Sequence, residues 1–327
     1  PLHGDAMKLL RLYLESCRNL PDGDYLFTRR DGVPFDRIVI TGPTASGKTT
    51  LLEVIAMVKE NVAGYGGGVE PRSFLRDGES GGVARLTLLL DAAEMQRAET
   101  REAVVTLEVR LSGGLGPTPP RGVRELPRRY RHGDEHPKLD YLPAARHLPI
   151  DPLDLPPPSL LDEGRLRLSK APRKYEGVVP WMRQLLLEEA TDAARRLGSE
   201  GLLLAPAGAE GHLARLRQRI ADLCPSLRLV DLADDRRTPR FERRDGTHRP
   251  LDQLSDAERD GILLAANAER VGLRRSVVLL DRPELHAHEV DVTRWLDVLG
   301  SDNQLIVATT SSTVRRSVTE AQTIDLG

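Results

Sequence analysis

"RIVITGPTASGKTTLLEVI", Arg37 to Ile55, decides the fold. Ile38, Val39 and Ile40 make an unbroken apolar run, as in a strand covered on both faces. Gly42-Pro43-Thr44-Ala45-Ser46-Gly47-Lys48-Thr49 then fills every fixed position of G-x-x-x-x-G-K-[S/T]. Thr50 follows, and Leu51, Leu52, Ile55, Val58 and Val62 recur at the spacing of one helix face. Strand, small-residue loop and helix is the context that separates a phosphate cradle from a chance glycine turn. Small residues let successive backbone N–H groups curl around a phosphate, and the helix N-terminus adds a favourable dipole. In such a cradle Lys48 reaches the β- and γ-phosphates and the Thr49 hydroxyl sits on Mg²⁺.

The bulk properties set bounds around this anchor. With 327 residues the chain can bury a large core as one large domain or two modest ones. A formal net charge of −2 and an ordinary apolar fraction point neither to disorder nor to a generally basic, polyanion-coating protein. Arginine clusters such as Arg128-Arg129-Tyr130-Arg131 therefore read first as salt-bridged surface, with nucleic-acid contact as the alternative. Cys17 and Cys224 have neither metal-site spacing nor a disulfide framework, and suit reduced core thiols in a cytoplasmic protein. No apolar run approaches the ~20 residues that span a bilayer, so no membrane association is expected. The six residues before Met7 read as non-native.

Outward from the cradle the period changes. "KLLRLYLE" alternates apolar and polar residues, as an antiparallel strand with one wet face does. "DYLFTRRDGVPF" predicts a second strand and a turn at Asp31-Gly32. "VARLTLLLD" and "AVVTLEVRLS" read as strands separated by a polar connector, giving a small β-layer beside the cradle. Prolines crowd residues 117 to 158 and interrupt regular structure there, except for the island "LDYLPAARHL", a buried strand ending in an arginine. Two amphipathic helices follow, marked by Met182, Leu185, Leu186, Ala193 and Leu197, and by Leu213, Leu216, Ile220 and Leu223. They predict a compact helical lid, since no heptad is sustained.

Two more stretches complete the pattern. Ser255 and Glu258 form an S-x-x-E capping box ahead of an apolar helix face at Ile262, Leu263, Ala266 and Val271, with Gly272 as its C-cap. "VVLLDRPELHAH", Val277 to His288, is a buried strand ending in Asp281, and "NQLIVATTSS" and "QTIDL" supply the last strands. This order resembles the ABC-type P-loop ATPases, in the branch with SMC, RecF and OLD-like proteins. "LSDAE" and "LLDRPELHAH" are firm points of this resemblance, and the second is similar to the corresponding stretch of stand-alone bacterial ATPases, many of which serve DNA repair, plasmid or phage-defence systems. The resemblance implies an α/β fold: an ABC ATPase head with an antiparallel β-layer and an inserted helical lid. It divides the chain into an N-terminal lobe (1–116), a proline-rich segment and lid (117–224) and a C-terminal lobe (225–327).

What the resemblance implies for the site follows residue by residue. ATP and Mg²⁺ are the cofactors, the loop from Gly42 to Thr50 holds the phosphates, and Thr49 and Asp281 hold the metal. Ser255, Ala257 and Glu258 begin the helix that meets the γ-phosphate of a second copy, in a head-to-tail homodimer. His288 stands where a residue crosses that interface. A TOPRIM nuclease domain, carried by OLD relatives, does not fit the length, so an effector or nuclease is expected on a separate chain. The departures fall on the hydrolytic side. Arg282 replaces the catalytic glutamate, and guanidinium stays charged and cannot take a proton from water. Thr310 or Ser311 replaces a switch histidine, alanine replaces the second signature glycine, and Gln96 is the one candidate for a metal-linked glutamine. Glu284 is either a surrogate base or part of an ordinary Pro-Glu turn. A zinc reading of His286, His288, Asp281 and Glu284 is set aside in favour of packing or interface roles. Three readings follow: a nucleotide-gated assembly subunit with weak or lost hydrolysis, an active ATPase completed by Glu284 or a partner residue, and a DNA-binding clamp using the arginines of 121–131 and 236–249.

Overall fold

The computed structural model describes residues 7–63, 69–117, 119–126, 137–149, 168, 173–198, 209–233 and 238–327. The arginine cluster at 128–131, the glycine run of 64–68 and the side chain of Leu197 lie outside what is described.

The centre is a parallel five-stranded sheet ordered β12-β3-β11-β10-β6. Its strands are β3 (Arg37–Thr41), β6 (Leu139–Leu142), β10 (Val277–Asp281), β11 (Gln304–Ala308) and β12 (Thr323–Asp325). Their apolar runs are continuous because both faces are covered. Ile38 and Ile40, Val277 and Leu279, and Ile306 and Ala308 face one core. Val39, Val278 and Leu280, and Leu305 and Val307 face the other.

The first core is closed by α1 (Lys48–Ala63) and a four-stranded antiparallel sheet ordered β2-β1-β4-β5. That sheet contains β1 (Lys8–Glu15), β2 (Gly23–Leu26), β4 (Val83–Leu89) and β5 (Val104–Arg110). Leu9, Leu12 and Leu14 point inward from β1, while Arg11 and Glu15 are exposed. The Asp31-Gly32 turn follows β2, with Gly32 at φ 84° and the Arg29 amide donating to Val33 O at 2.8 Å. Between β4 and β5 the polar connector is a short helix, α2 (Ala92–Arg97), because Asp91 and Glu94 close a capping box at its start. The fully buried Gln304 clips the two sheets together: Leu9 N donates to its Oε1 at 2.6 Å, and its Nε2 donates to Leu9 O and Phe35 O at 3.0 and 2.9 Å.

The second core is formed by α4 (Val178–Gly198), α5 (Ala209–Leu223), α6 (Asp256–Val271) and α7 (Glu289–Gly300). Met182, Leu185 and Leu186 of α4 and Leu213, Leu216 and Ile220 of α5 are buried in it, whereas Ala193 is exposed. A three-stranded sheet of β7 (Leu227–Leu232), β8 (Pro239–Arg243) and β9 (His248–Pro250) leads into α6. Two short helices, α3 (Arg121–Glu125) and α8 (Ser312–Arg316), complete the described elements. Among the described residues no helix is long and apolar enough to cross a membrane.

Candidate functional site

Parallel strands end at one edge of their sheet, and the loops leaving that edge form a ready crevice. Thr41, Asp281 and Ala308 end β3, β10 and β11 there, side by side. The loop 42–49 leaves β3 and turns into α1. Its glycines are required by geometry. Gly42 has φ 144°, and a Cβ there would lie 2.6 Å from Ser46 Oγ; Gly47 has φ 100°, and a Cβ would lie 2.6 Å from Leu20 Cδ2. Pro43, Thr44 and Ala45 are exposed at the rim, with Ala45 also at positive φ (66°). The loop is braced from the β1–β2 connection, where Asn19 Nδ2 donates to Ala45 O at 2.9 Å. Lys48 Nζ is folded back onto the loop, donating to Gly42 O at 2.9 Å and Pro43 O at 2.5 Å. These carbonyls hold the ammonium where a phosphate oxygen would otherwise pair with it.

Asp281 meets the cradle directly. Thr49 Oγ1 donates to Asp281 Oδ2 at 2.9 Å, and Tyr141 OH donates to the same oxygen at 3.4 Å. The other oxygen, Oδ1, is buried and has no hydrogen-bond partner among the described residues. A buried, unpaired carboxylate oxygen beside a threonine hydroxyl is the donor set of a hard divalent cation, which takes oxygen ligands. The residues thus fit Mg²⁺. Burial raises the Asp281 pKa above the usual carboxylate range; the Thr49 hydrogen bond and the Arg146 and Arg282 charges act against that rise.

Arg146, Asp260 and Tyr141 are neighbours that the sequence reading did not assign to the site. The Arg146 side chain is fully buried; Nε and Nη2 donate to the two carboxylate oxygens of Asp260 at 2.8 and 2.7 Å. Its Nη1 donates to the backbone carbonyls of Asp281 at 2.8 Å and Pro143 at 3.2 Å. One signal was present: Asp260 shares a helix face with Ala257 and Leu264, three and four positions away. An acid on a buried stripe demands a cation, and the arginine closing "YLPAAR" is the cation supplied.

The residues beyond Asp281 are arranged otherwise. Arg282 is exposed and adopts a left-handed backbone (φ 46°), uncommon for a long side chain. Its guanidinium makes no hydrogen bond or ion pair among the described residues, while its amide donates to Ala308 O at 2.8 Å. Glu284 Oε1 accepts from the Thr310 amide at 2.8 Å and the Thr310 hydroxyl at 3.0 Å; Oε2 is buried without a partner among the described residues. His286 and His288 are exposed, and the described residues contain no group of three His, Cys, Asp or Glu that could hold a metal. Gln96 lies exposed on α2 at the opposite edge. Its neighbour Glu94 senses the charge of Arg275, just before β10, and β4 ends where Lys8 reaches Asp36, just before β3.

At the start of α6 the capping box closes on itself. Ser255 Oγ donates to Glu258 Oε2 at 2.9 Å and accepts from the Glu258 amide at 3.3 Å, and Arg243 Nη2 donates to both Glu258 oxygens at 3.1 and 2.9 Å. Ala257 is half-buried and lines a pocket of about 230 Å³ with Arg244, Arg294 and Trp295. Of the arginines in 236–249, Arg240 pairs with Asp231 and Arg249 donates to Gln253.

No protein-family profile matches the sequence, and no curated protein matches it. Solved structures do. The chain is similar to a Smc head bound to the C-winged helix domain of ScpA, at TM-score 0.57 and 14% identity over 95% of this chain and 92% of that one. It is similar to a Smc head domain with an extended coiled coil bound to the C-terminal domain of ScpA, derived from Pyrococcus furiosus, at TM-score 0.55 and 13% identity, covering 95% and 92% of the two chains. It is also similar to a Smc head domain with a coiled coil and joint derived from Pyrococcus yayanosii, at TM-score 0.53 and 11% identity, covering 98% and 95%. At these identities the likeness shows the fold alone, that of the SMC head domain.

Proposed function

We propose that the chain, an SMC-type head by fold, binds ATP with Mg²⁺ in the crevice between the 42–49 loop and Asp281, and hydrolyses it weakly or not at all. Nucleotide occupancy then acts as an assembly signal. Two copies pair head-to-tail, with Ser255, Ala257 and Glu258 of each meeting the phosphates held by the other, and the occupied pair recruits a separate effector chain. In this reading the segment 117–224 joins the lobes 1–116 and 225–327: its helices α4 and α5 serve as the lid, while its strand β6 belongs to the central sheet. ATP rather than GTP rests on the likeness to ATPase heads. Two of the similar heads are bound to a domain of ScpA, which fits a partner subunit here. Phage defence or DNA repair is the setting that the sequence resemblance suggests.

The observation that carries the reading is the contrast at the end of β10. Asp281 offers a free oxygen beside Thr49, whereas the next residue is an exposed arginine. Lys48 and the loop amides bind and orient the phosphates. Thr49 and Asp281 would hold the metal, which when bound would supply positive charge to offset that of the phosphates. A water attacking the γ-phosphate must also give up a proton to a base, and Arg282 cannot accept it. Glu284 supports the second reading, an active ATPase, because its Oε2 is free while Oε1 is anchored on Thr310. A nucleic-acid clamp is the third, and it predicts binding that falls steeply with salt.

The test measures Mg-ATP binding and turnover on one preparation, with Lys48→Ala and Arg282→Glu alongside. Binding without turnover in the parent, lost in Lys48→Ala, with turnover gained in Arg282→Glu, is the expected result. Parent turnover at the ~10 s⁻¹ typical of enzymes would overturn it in favour of an active ATPase.

A further inference from the structure

We infer that Arg146 is a positioning residue that sets the metal-site aspartate and ties it to the first turns of α6. The inference rests on the nucleotide-site reading above and names how that site is held and what it is joined to. Arg146 makes four hydrogen bonds with its side chain fully buried: two to Asp260, one to Asp281 O and one to Pro143 O. Asp260 lies five residues into α6 from the cap at Ser255. A single guanidinium therefore touches the end of β10, the loop after β6 and the helix whose N-terminus carries Ser255, Ala257 and Glu258.

Stability alone gives no reason for this arrangement. Taking an arginine and an aspartate out of water is costly, and apolar side chains of the same volume commonly hold a core as well or better. What an apolar pair cannot do is grip the Asp281 carbonyl. The rigid fork of Arg146 fixes that peptide while Thr49 and Tyr141 hold Oδ2, which leaves Oδ1 as the one unassigned oxygen of the carboxylate. Groups that orient a metal ligand govern metal affinity almost as strongly as the ligands themselves. The same clamp passes a displacement at the start of α6 to the end of β10, because both ends of it are hydrogen-bonded and buried. A contact made by Ser255 with another molecule's phosphate is in this way felt at the metal site of its own chain.

The experiment titrates a fluorescent ATP analogue into the full chain with Mg²⁺ and with EDTA, and reads the ratio of the two affinities. The variants are Arg146→Lys, Asp260→Asn, the apolar pair Arg146→Met/Asp260→Leu, and Asp281→Asn as the reference for a lost ligand. The apolar pair leaves no buried charge behind, so it keeps a folded protein in the series if the single variants unfold. We expect the Arg146 and Asp260 variants to retain metal-free binding and to lose Mg²⁺ enhancement by about 10-fold or more, the loss seen when outer-shell partners are removed. The apolar pair should lose no more than either single variant, as residues acting as one unit do. A wild-type enhancement in the folded apolar pair would reduce Arg146 to a packing element and overturn the inference. No nucleotide binding by the parent in either condition would instead overturn the reading of the cradle, and this inference with it.

Discussion

Two loops leave the same edge of the parallel sheet, 42–49 after β3 and 282–288 after β10, and they are built on different terms. In the first, each unusual backbone angle lies where the chain needs a concave row of amides. Gly42 and Gly47 have no room for a Cβ, and Asn19 braces the loop from the β1–β2 connection. In the second, the strained residue is Arg282, whose side chain has no described partner, and the acid that follows is spent on fastening Thr310. Strain is retained where something over-determines it. Backbone packing and the Asn19 bond do so in the cradle; after Asp281 the backbone bonds of Arg282 with Ala308 and Leu285 do. The difference teaches that the 42–49 loop is held by its own backbone geometry, while the 282–288 loop is held by its neighbours.

Substitutions can break the contrast, and the largest effect is expected at Gly47. Gly47→Ala forces a side chain into left-handed backbone against Leu20 and should cost about 1–3 kcal/mol in chemical denaturation, with nucleotide binding lost. An unchanged midpoint would show that the loop relaxes freely. Next is Asp281→Asn. Burial raises the Asp281 pKa, so the folded state favours the proton and stability falls as pH rises from the group's ordinary 3.8. Removing the charge should therefore stabilise the metal-free protein at pH 7 while abolishing Mg²⁺ enhancement, the usual trade at a functional site. Glu94, pushed up to about 8 by burial at the far edge, has the same sign between 4.5 and 8. The pH series is accordingly run in Glu94→Gln, whose amide oxygen still accepts in the capping box.

Smaller effects sharpen the second loop. Glu284→Ala should cost about 1 kcal/mol through its two bonds from Thr310. If it also removes turnover in a parent that hydrolyses ATP, Glu284 is a base as well as a fastener. Arg282→Gly relieves left-handed strain at some cost in chain entropy, and should raise the thermal midpoint slightly, by about 0.5 kcal/mol in net terms. A drop would reveal a role for the guanidinium in the free protein.

Sequence legibility follows the range of the forces involved. The cradle, the strands before Gly42 and Asp281, and the α6 start at Ser255 and Glu258 are all written in residues a few positions apart. Local spacing carries them, and the structure has a strand, a loop or a cap at each. Arg146 and Asp260 are 114 positions apart, and Gln304 meets Leu9 over 295. Such pairs leave only half-signals in a sequence: a charge on an apolar stripe, a glutamine opening a buried strand. The strands β7 to β9 were not anticipated, because their short, arginine-rich segments look like exposed surface. The helix α2 was hidden in a polar connector and is revealed only by its Asp91 cap.

The position of β3 in its sheet has a kinetic consequence. It lies between β11 and β12, whose partner residues come from 304–308 and 323–325, while β3 itself is residues 37–41. The antiparallel layer can assemble from residues 8–110, through hairpins and one modest crossover. The cradle strand must wait for almost the whole chain to be made before either neighbour exists. Pairings of such separation close slowly and leave an apolar edge uncovered meanwhile. A growing chain thus carries a finished layer before the strand that leads into the 42–49 loop has a neighbour.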